Sequence, residues 1–583
     1  MTKKLKIFID WKDSENGDDY ISLLNFIDNN QQRIKKKYLT FINSINFKKE
    51  DLKIDYKNNF NIWQTSILKE LSFYKSEYLN DIYKIFALKI LMDELVFKEI
   101  EVSNIPLKAA QSIEKYFIEH KIKYNFKTIK NNKKTSIFLL IWNNVHHYIK
   151  LILFSGHHFY SNFTLITRRP IKVDLKKNEV LLFGYLAHLK TETFSQNRYS
   201  SNIWGHLPVI LKNNNVNFYF MDIYVKTKEI NNSKEAYNLI NKLNENKNCH
   251  SLIFSHLSII DYLKTTLEFI NLQFRFLKIS KIFKYKMNHE GIDLYKFYKK
   301  DISKSFNGFG LFENLIWDNA FKNFFTKVKE PINVIYIQEN QPWEFILLNN
   351  FRLNNKGKIF SLQNSIIRNW DLRYYNKFIY NNCKPDNFIV NGEIAFDSFI
   401  SYGYPKKKII KLESLRYSKY KDISLNPTKN KNSVLLLGDY QINETENMLN
   451  RVIPYLSENG YTIGFKPHPA RTFNFIILLK YNIKIEVGEI SNLTDYQNFI
   501  VPSDSGSSVD IFLLGRKPII YTSENNLNNN PLSNQKDILN SSDKKEILKY
   551  LEYSKNKVTT SQDIFYLDNN FKRWDGFVKT KLN

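Results

Sequence analysis

Two cysteines, Cys249 and Cys383, stand in a chain of 583 residues, too few and too far apart for a disulfide framework or a CxxC zinc site. That excludes a disulfide-dependent secreted fold and fits a reducing compartment. Acidic residues are also short: 58 Asp and Glu against 85 Lys and Arg leave a formal charge of +27. Such an excess favours anionic partners such as nucleic acid, acidic lipid headgroups or phosphorylated substrates. The basic residues are spread through a chain rich in Lys, Asn, Ile and Tyr, so background composition competes with function as the cause. No hydrophobic run is clean enough for a bilayer span, because Ser136 to Ile166 is broken by Asn and His pairs and by Lys150. The apolar run of "MTKKLKIFIDWKD" stops at Asp10, too early for the core of a signal peptide. The expectation is a soluble cytoplasmic protein whose charge allows a peripheral seat on the anionic inner face of a membrane.

The sequence also lacks DxD, a P-loop and GxGxxG. Metal-held nucleotide chemistry, ATP hydrolysis and dinucleotide redox therefore find no support, and neither a metal nor a cofactor is expected.

What is present points to an α/β protein. Residues 1–170 read as a mixed accessory domain, with a strand at "LKIFID", helical periodicity from Leu71 to Ile100 and an apolar "SIFLLIW". Residues 171–385 carry buried-strand runs, "EVLLFGYL", "NFYFMDIYV", "NVIYIQEN" and "GKIFSLQN", separated by helical stretches. Residues 386–530 repeat the alternation with "SVLLLGDY", "YTIGFKPHP", "NFIVPSDSGSS" and "KPIIYTS". Strands alternating with helices imply parallel sheets, here two Rossmann-like halves facing a cleft. Residues 531–583 read as a polar loop and a helical tail, and "SENNLNNNPLSNQ" as a loop.

Chemistry concentrates where strands of the last half end. Pro467 and Pro469 bracket His468 and hold it on stiff extended backbone after Lys466. "SDSGSS" gathers Ser505, Gly506, Ser507 and Ser508 at the start of an apolar helix, either an ordinary Ser/Asp cap or an anion site. Gly438 closes a third strand. In doubly wound sheets ligands bind beyond the carboxyl ends of strands, so both elements are expected to converge on one phosphate. Lys466 and His468 would supply charge and a proton, and the serines geometry.

"KPHP" with a downstream "SS" resembles the HP and SS motifs of bacterial sialyltransferases and related Kdo and capsule-polymer transferases of GT-B fold. A looser form of the pair is similar to that of wall teichoic acid polyol-phosphate transferases. "IYIQENQPWE", "QNSIIRNWDLRYY" and "RYSSNIWGHLP" resemble signature segments of a bacterial surface-carbohydrate family of O-antigen loci. The resemblance implies an inverting, metal-independent glycosyltransferase that moves an acidic sugar, a nonulosonate or Kdo, from a CMP donor to a glycan of capsule or lipopolysaccharide. It places His468, Ser507 and Ser508 on the donor phosphate, with nucleotide-sugar donor and glycan or lipid-linked acceptor as partners.

A general base is needed in the half that holds the acceptor, and the "(D/E)DG" triplet of the sialyltransferases is absent. Glu339, at the end of "NVIYIQ", leads, with a carboxylate paired inside "QENQPWE" as its bland alternative. His188 and Glu192 follow. Asn340, Arg368, Asp371 and Arg373 are donor-sugar or acceptor candidates. Asp371 and Arg373 serve equally as an ion pair, and Arg368 as a fork for a carboxylate. Three rivals stand beside this reading: a CDP-polyol phosphotransferase, a UDP-dependent epimerase and a non-catalytic nucleic-acid-binding protein. The last is disfavoured because no nucleic-acid module is recognisable and the aromatics fall in apolar runs.

Overall fold

The computed structural model describes residues 6–12, 20–45, 62–76, 78–95, 97–129, 147–168, 175–196, 198–245, 249–375, 383–423, 430–469, 471, 473, 475–493, 495–524, 526–533, 535, 538–553 and 564–582. The apolar segment "SIFLLIW" lies outside them. Three parallel sheets and a short antiparallel hairpin account for the described strands.

The first sheet belongs to the N-terminal region. Strands β1 (Lys6–Asp10), β2 (Tyr20–Ser22), β3 (Glu99–Pro106) and β4 (Lys123–Ile129) stand in the order β2-β1-β3-β4. The helical reading through Ile100 ran too far, because the helix Leu79–Glu94 stops before β3.

The second sheet has seven strands. They are β5 (Val180–Leu186), β6 (Phe218–Tyr224), β7 (His250–Leu252), then, after the hairpin β8 (Asn288–His289) and β9 (Ile292–Asp293), β10 (Asn333–Gln338), β11 (Ile359–Gln363), β12 (Asn387–Val390) and β13 (Ile409–Lys411). Their order is β13-β12-β11-β10-β5-β6-β7. The half therefore runs past residue 385, since β12 pairs with β11 through Phe388 against Ser361 and Ile389 against Leu362.

The third sheet contains β14 (Ser433–Leu437), β15 (Thr462–Lys466), β16 (Lys484–Ile485), β17 (Asn498–Pro502), β18 (Ile519–Tyr521) and β19 (Asn540–Ser541), in the order β16-β15-β14-β17-β18-β19. It extends past residue 530, and the helix Lys544–Tyr553 packs on the helix Ile442–Glu458. Gly460, at φ 74°, ends the latter helix in the left-handed conformation that glycine adopts without strain.

Side-chain alternation explains why these runs are apolar throughout. Along β5, Leu181 and Phe183 enter one core while Val180 and Leu182 enter another, and Val434 and Leu435 divide in the same way along β14. The core under Leu181 and Phe183 is continuous with that of the N-terminal sheet, so the N-terminal region and the seven-stranded half are built as one mass. The C-terminal tail returns to the seven-stranded half: Trp574, Phe577 and Val578 pack under Val180 and Leu182. Buried Glu413 fixes it by accepting from the backbone N–H groups of Arg573 (2.9 Å) and Trp574 (3.1 Å). Two Rossmann-like halves face each other across a cleft, the GT-B architecture, with an N-terminal parallel domain added.

Candidate functional site

In each large sheet the chain adds strands outward in one direction and then reverses. The reversal falls between β5 and β10 in the seven-stranded sheet and between β14 and β17 in the six-stranded one. Such a switch point opens a crevice beyond the carboxyl ends of the strands. A cleft of about 870 Å³ joins the two, lined by His188, Glu339, Arg368 and Arg373 from one half and Lys466, His468, Ser505, Gly506 and Ser507 from the other. The "KPHP" segment and the serine-rich turn thus open into the same space.

His468 leaves β15 beside the end of β14. The N–H of Gly438 donates to the Lys466 carbonyl at 2.8 Å, and a Cβ on Gly438 would lie 3.1 Å from the His468 nitrogen. Gly438 is thus a contact that lets two strand ends close up, and it brings Asp439 and Tyr440, which line the cleft, beside the histidine. Tyr440 meets His468 edge-on at 5.8 Å. Arg471 lies 3.7 Å over the Tyr440 ring and donates to the Tyr440 carbonyl at 2.8 Å. Burial, then the charges of Arg471 and Lys466, hold the imidazole below its ordinary pKa, so it is neutral at pH 7.

The serine-rich turn divides its labour. Ser505 and Ser507 line the cleft. Ser508 is fully buried and donates to the Ser505 carbonyl at 3.0 Å. Asn530, also fully buried, donates to the Ser503 carbonyl at 3.0 Å and to Ser508 Oγ at 3.2 Å. Ser508 therefore shapes the turn and does not face the cleft as expected. The Asn-rich stretch read as a plain loop supplies this latch, and Asn529 Oδ1 accepts from the Trp370 N–H at 2.7 Å. Only the polarity of that stretch was visible in sequence.

Arg368 spans the halves. It follows β11, yet its Nε donates to the Asp504 carbonyl at 3.1 Å, and it lies 5.5 Å over the ring of Tyr74, an N-terminal residue that also lines the cleft. The N-terminal region braces this segment: Tyr83 packs on Trp370 at 4.9 Å and Lys35 donates to Asn369 Oδ1 at 2.9 Å. Asp371 and Arg373 form the buried ion pair, at 2.8 and 2.6 Å. Asn340, in the left-handed region at φ 55°, is buried and donates to the Arg373 carbonyl at 2.9 Å. Asp371 and Asn340 are thus positioning groups, and Arg373 reaches the cleft with its charge already matched.

Glu339 stands at the end of β10, across the cleft from His468 and the serine-rich turn. Its carboxylate accepts from Ser365 Oγ at 3.0 Å and Gln341 Nε2 at 2.6 Å. Glu344 takes the capping role instead, accepting from the N–H groups of Glu339 at 2.8 Å and Gln341 at 3.0 Å, so the carboxylate locked inside "QENQPWE" is Glu344. Burial raises the Glu344 pKa to about 8. His188, at φ 53° after β5, shares the cleft with Glu339. Glu192 does not: its short helix, Thr191–Ser195, turns it into an adjoining cavity.

Beneath the cleft three carboxylates crowd together. Burial and mutual repulsion raise Asp439 to about 6 and Glu444 to about 7, and burial raises Asp504. Oδ2 of Asp439 and Oδ1 of Asp504 have no hydrogen-bond partner among the described residues. Among those residues no group of three or more His, Cys, Asp and Glu is placed to hold a metal ion.

No protein-family model matches the chain, and no curated protein does. Among solved structures, a UDP-N-acetylglucosamine 2-epimerase from Rickettsia bellii is similar at 13% identity and a TM-score of 0.38, over 69% of this chain and 95% of that one. A glycosyltransferase from Rickettsia africae is similar at 11% and 0.32, over 70% and 95%. Likenesses at that level assign no activity to this chain.

Proposed function

We propose that the protein is an inverting glycosyltransferase that moves an acidic sugar, a nonulosonate or Kdo, from a CMP donor to a bacterial surface glycan. The observation that carries the reading is the opening of Lys466, His468, Ser505 and Ser507 into one cleft, across from Glu339. In this reaction the acceptor hydroxyl attacks the anomeric carbon and gives its proton to Glu339. The bond from that carbon to the phosphate oxygen breaks, and its electron pair leaves with CMP. The Lys466 ammonium and the His468 N–H take up that charge, preorganised and without a metal. The phosphodiester of the donor is a monoanion that becomes a dianion as CMP departs, and that growing charge raises the pKa of the imidazole, so His468 holds a proton against the released nucleotide. Arg368, aimed at the cleft from the opposite half, suits the carboxylate of an acidic donor. Asp439 Oδ2 suits a hydroxyl or amino donor of the nucleoside.

The test is a thermal-shift panel of CMP, CDP, UMP, UDP and GDP on the full chain, followed by product mass. CMP alone is expected to raise Tm by mass action, and the product to carry a nonulosonate or Kdo. A UDP-selective response would redirect the reading to epimerase chemistry, and a phosphopolyol product to phosphotransfer.

Lipid-linked acceptors would suit an enzyme seated on the membrane. Among the described residues no helix is long and apolar enough to cross one. The helix His147–Thr167 leaves Ile152 and Phe163 exposed, and the helix Ile259–Lys286 leaves Ile260, Leu263 and Leu267 exposed. Exposed apolar stripes beside Lys264, Lys281 and Lys284 fit an anionic bilayer surface. Co-sedimentation with phosphatidylglycerol vesicles is expected to exceed that with phosphatidylcholine and to fall with Leu267→Asp. Equal binding to both vesicles would remove the idea.

A further inference from the structure

Beside the catalytic cleft, and joined to it through Asn202, Arg416 and Lys419, lies a second cavity of about 820 Å³ in the seven-stranded half. The lining is electrostatically lopsided. It carries Lys190, Arg198, Lys212, Arg416 and Lys419 against one carboxylate, Glu192, a five-to-one excess where the whole chain has 85 basic to 58 acidic residues. Lys419 is paired, with Glu489 at 3.0 Å. Arg198, Lys212 and Arg416 are exposed and make no ion pair among the described residues. Cations gathered in a concave wall, with few counter-charges to neutralise them, raise the local potential for an anion.

The cavity is also a made shape. The backbone folds back on itself there, with the Lys190 N–H donating to the Ser200 carbonyl at 2.9 Å. Gly205 turns at φ 48° where a Cβ would lie 2.6 Å from the Leu415 carbonyl oxygen. That close approach sets Arg416, the next residue, on the border between cavity and cleft.

We infer that this cavity anchors a polyanionic group of the acceptor, a diphosphate or closely spaced carboxylates, and so delivers the neighbouring sugar hydroxyl to Glu339. The word acceptor rests on the transferase reading; the anion site itself does not. Arg416 is the gatepost, since it faces both spaces. Glu192 sets the selectivity, repelling an anion that is not held by several cations at once.

Inorganic pyrophosphate, titrated by calorimetry into the full chain at saturating CMP, tests the site. One pyrophosphate is expected to bind beyond the nucleotide, and Arg198→Glu and Lys212→Glu are each expected to weaken it about tenfold or more. His468→Ala should leave it unchanged while weakening CMP about 10- to 100-fold. Both reversed residues are exposed, and a melting curve checks that the variants fold. Competition by farnesyl diphosphate marks a lipid-linked diphosphate as the source, and competition by an oligogalacturonate marks an acidic glycan. Absence of pyrophosphate binding at saturating CMP, or binding that neither reversal weakens, overturns the proposal. Should CMP fail to bind at all, the titration is run without it, and the donor reading falls while the anion site is still judged.

Discussion

The two switch points differ in how they treat a carboxylate. At the end of β10, Glu339 is held by two neutral donors, Ser365 and Gln341, which fix the group without cancelling its charge. At the end of β14, Asp439 is buried against Asp504, and its pKa is raised to about 6. One rim keeps a fixed carboxylate facing the cleft. The other keeps acidic groups crowded under the proposed phosphate grip, and Arg368, sent across from the opposite half, offsets them. The contrast teaches that the charge compensation of the buried carboxylates is supplied from across the cleft, by one guanidinium.

The sharpest way to break the comparison is Glu339→Gln. If that rim supplies the base, kcat falls by about 10² to 10⁴ while CMP affinity, read by calorimetry, stays unchanged. His468→Ala acts on the other rim and weakens CMP about 10- to 100-fold, as expected for charge-assisted contacts. If CMP binds as proposed, the wild-type protein should take up a proton, because the free imidazole lies below its ordinary pKa and the phosphate raises it. Proton uptake, measured in buffers of different ionisation enthalpy, is therefore expected near neutral pH and lost in the variant.

Arg368→Met strips the counter-charge from Asp504 and Asp439. It should destabilise the protein by about 1–3 kcal/mol at pH 8 and by less at pH 5, where the crowded carboxylates are increasingly protonated. Asp439→Asn has the opposite sign. A carboxyl whose folded pKa is raised from 3.8 to about 6 binds more protons folded than unfolded, so stability is lost as pH rises through that window. The variant is expected to gain up to about 3 kcal/mol at pH 8 and nothing at pH 3.5, by denaturant titration. An equal gain at both values would mean that Asp439 acts through packing.

The central strands of both large sheets, such as β5, β10, β14 and β17, were legible because each is a short, mostly apolar run buried on both faces; the short outer strands β7, β13 and β19 carry no such run and were not read. β3 and β4 were not: "EIEVSNIP" and "KYNFKTI" interleave charge with apolar residues and carry no all-apolar signature. The boundary at residue 385 failed because "NFIV" reads as the start of a new unit, and only its pairing with β11 assigns it to the earlier sheet. At the site, Lys466, His468, Ser505 and Ser507 stood out by proline bracketing and hydroxyl density. Ser508 was misjudged, since Asn530 lies 22 residues away and nothing local announces the bond. Tyr74 and the buried Asn529 were invisible for the same reason, being supplied by distant elements.

A structure of the protein with CMP bound is the most direct measurement. The account predicts the phosphate between the His468 ring and the Ser505–Ser507 turn, with Lys466 within ion-pair distance and Glu339 facing it across the cleft. A nucleotide seated elsewhere, or a phosphate held by only one of the two elements, would contradict it.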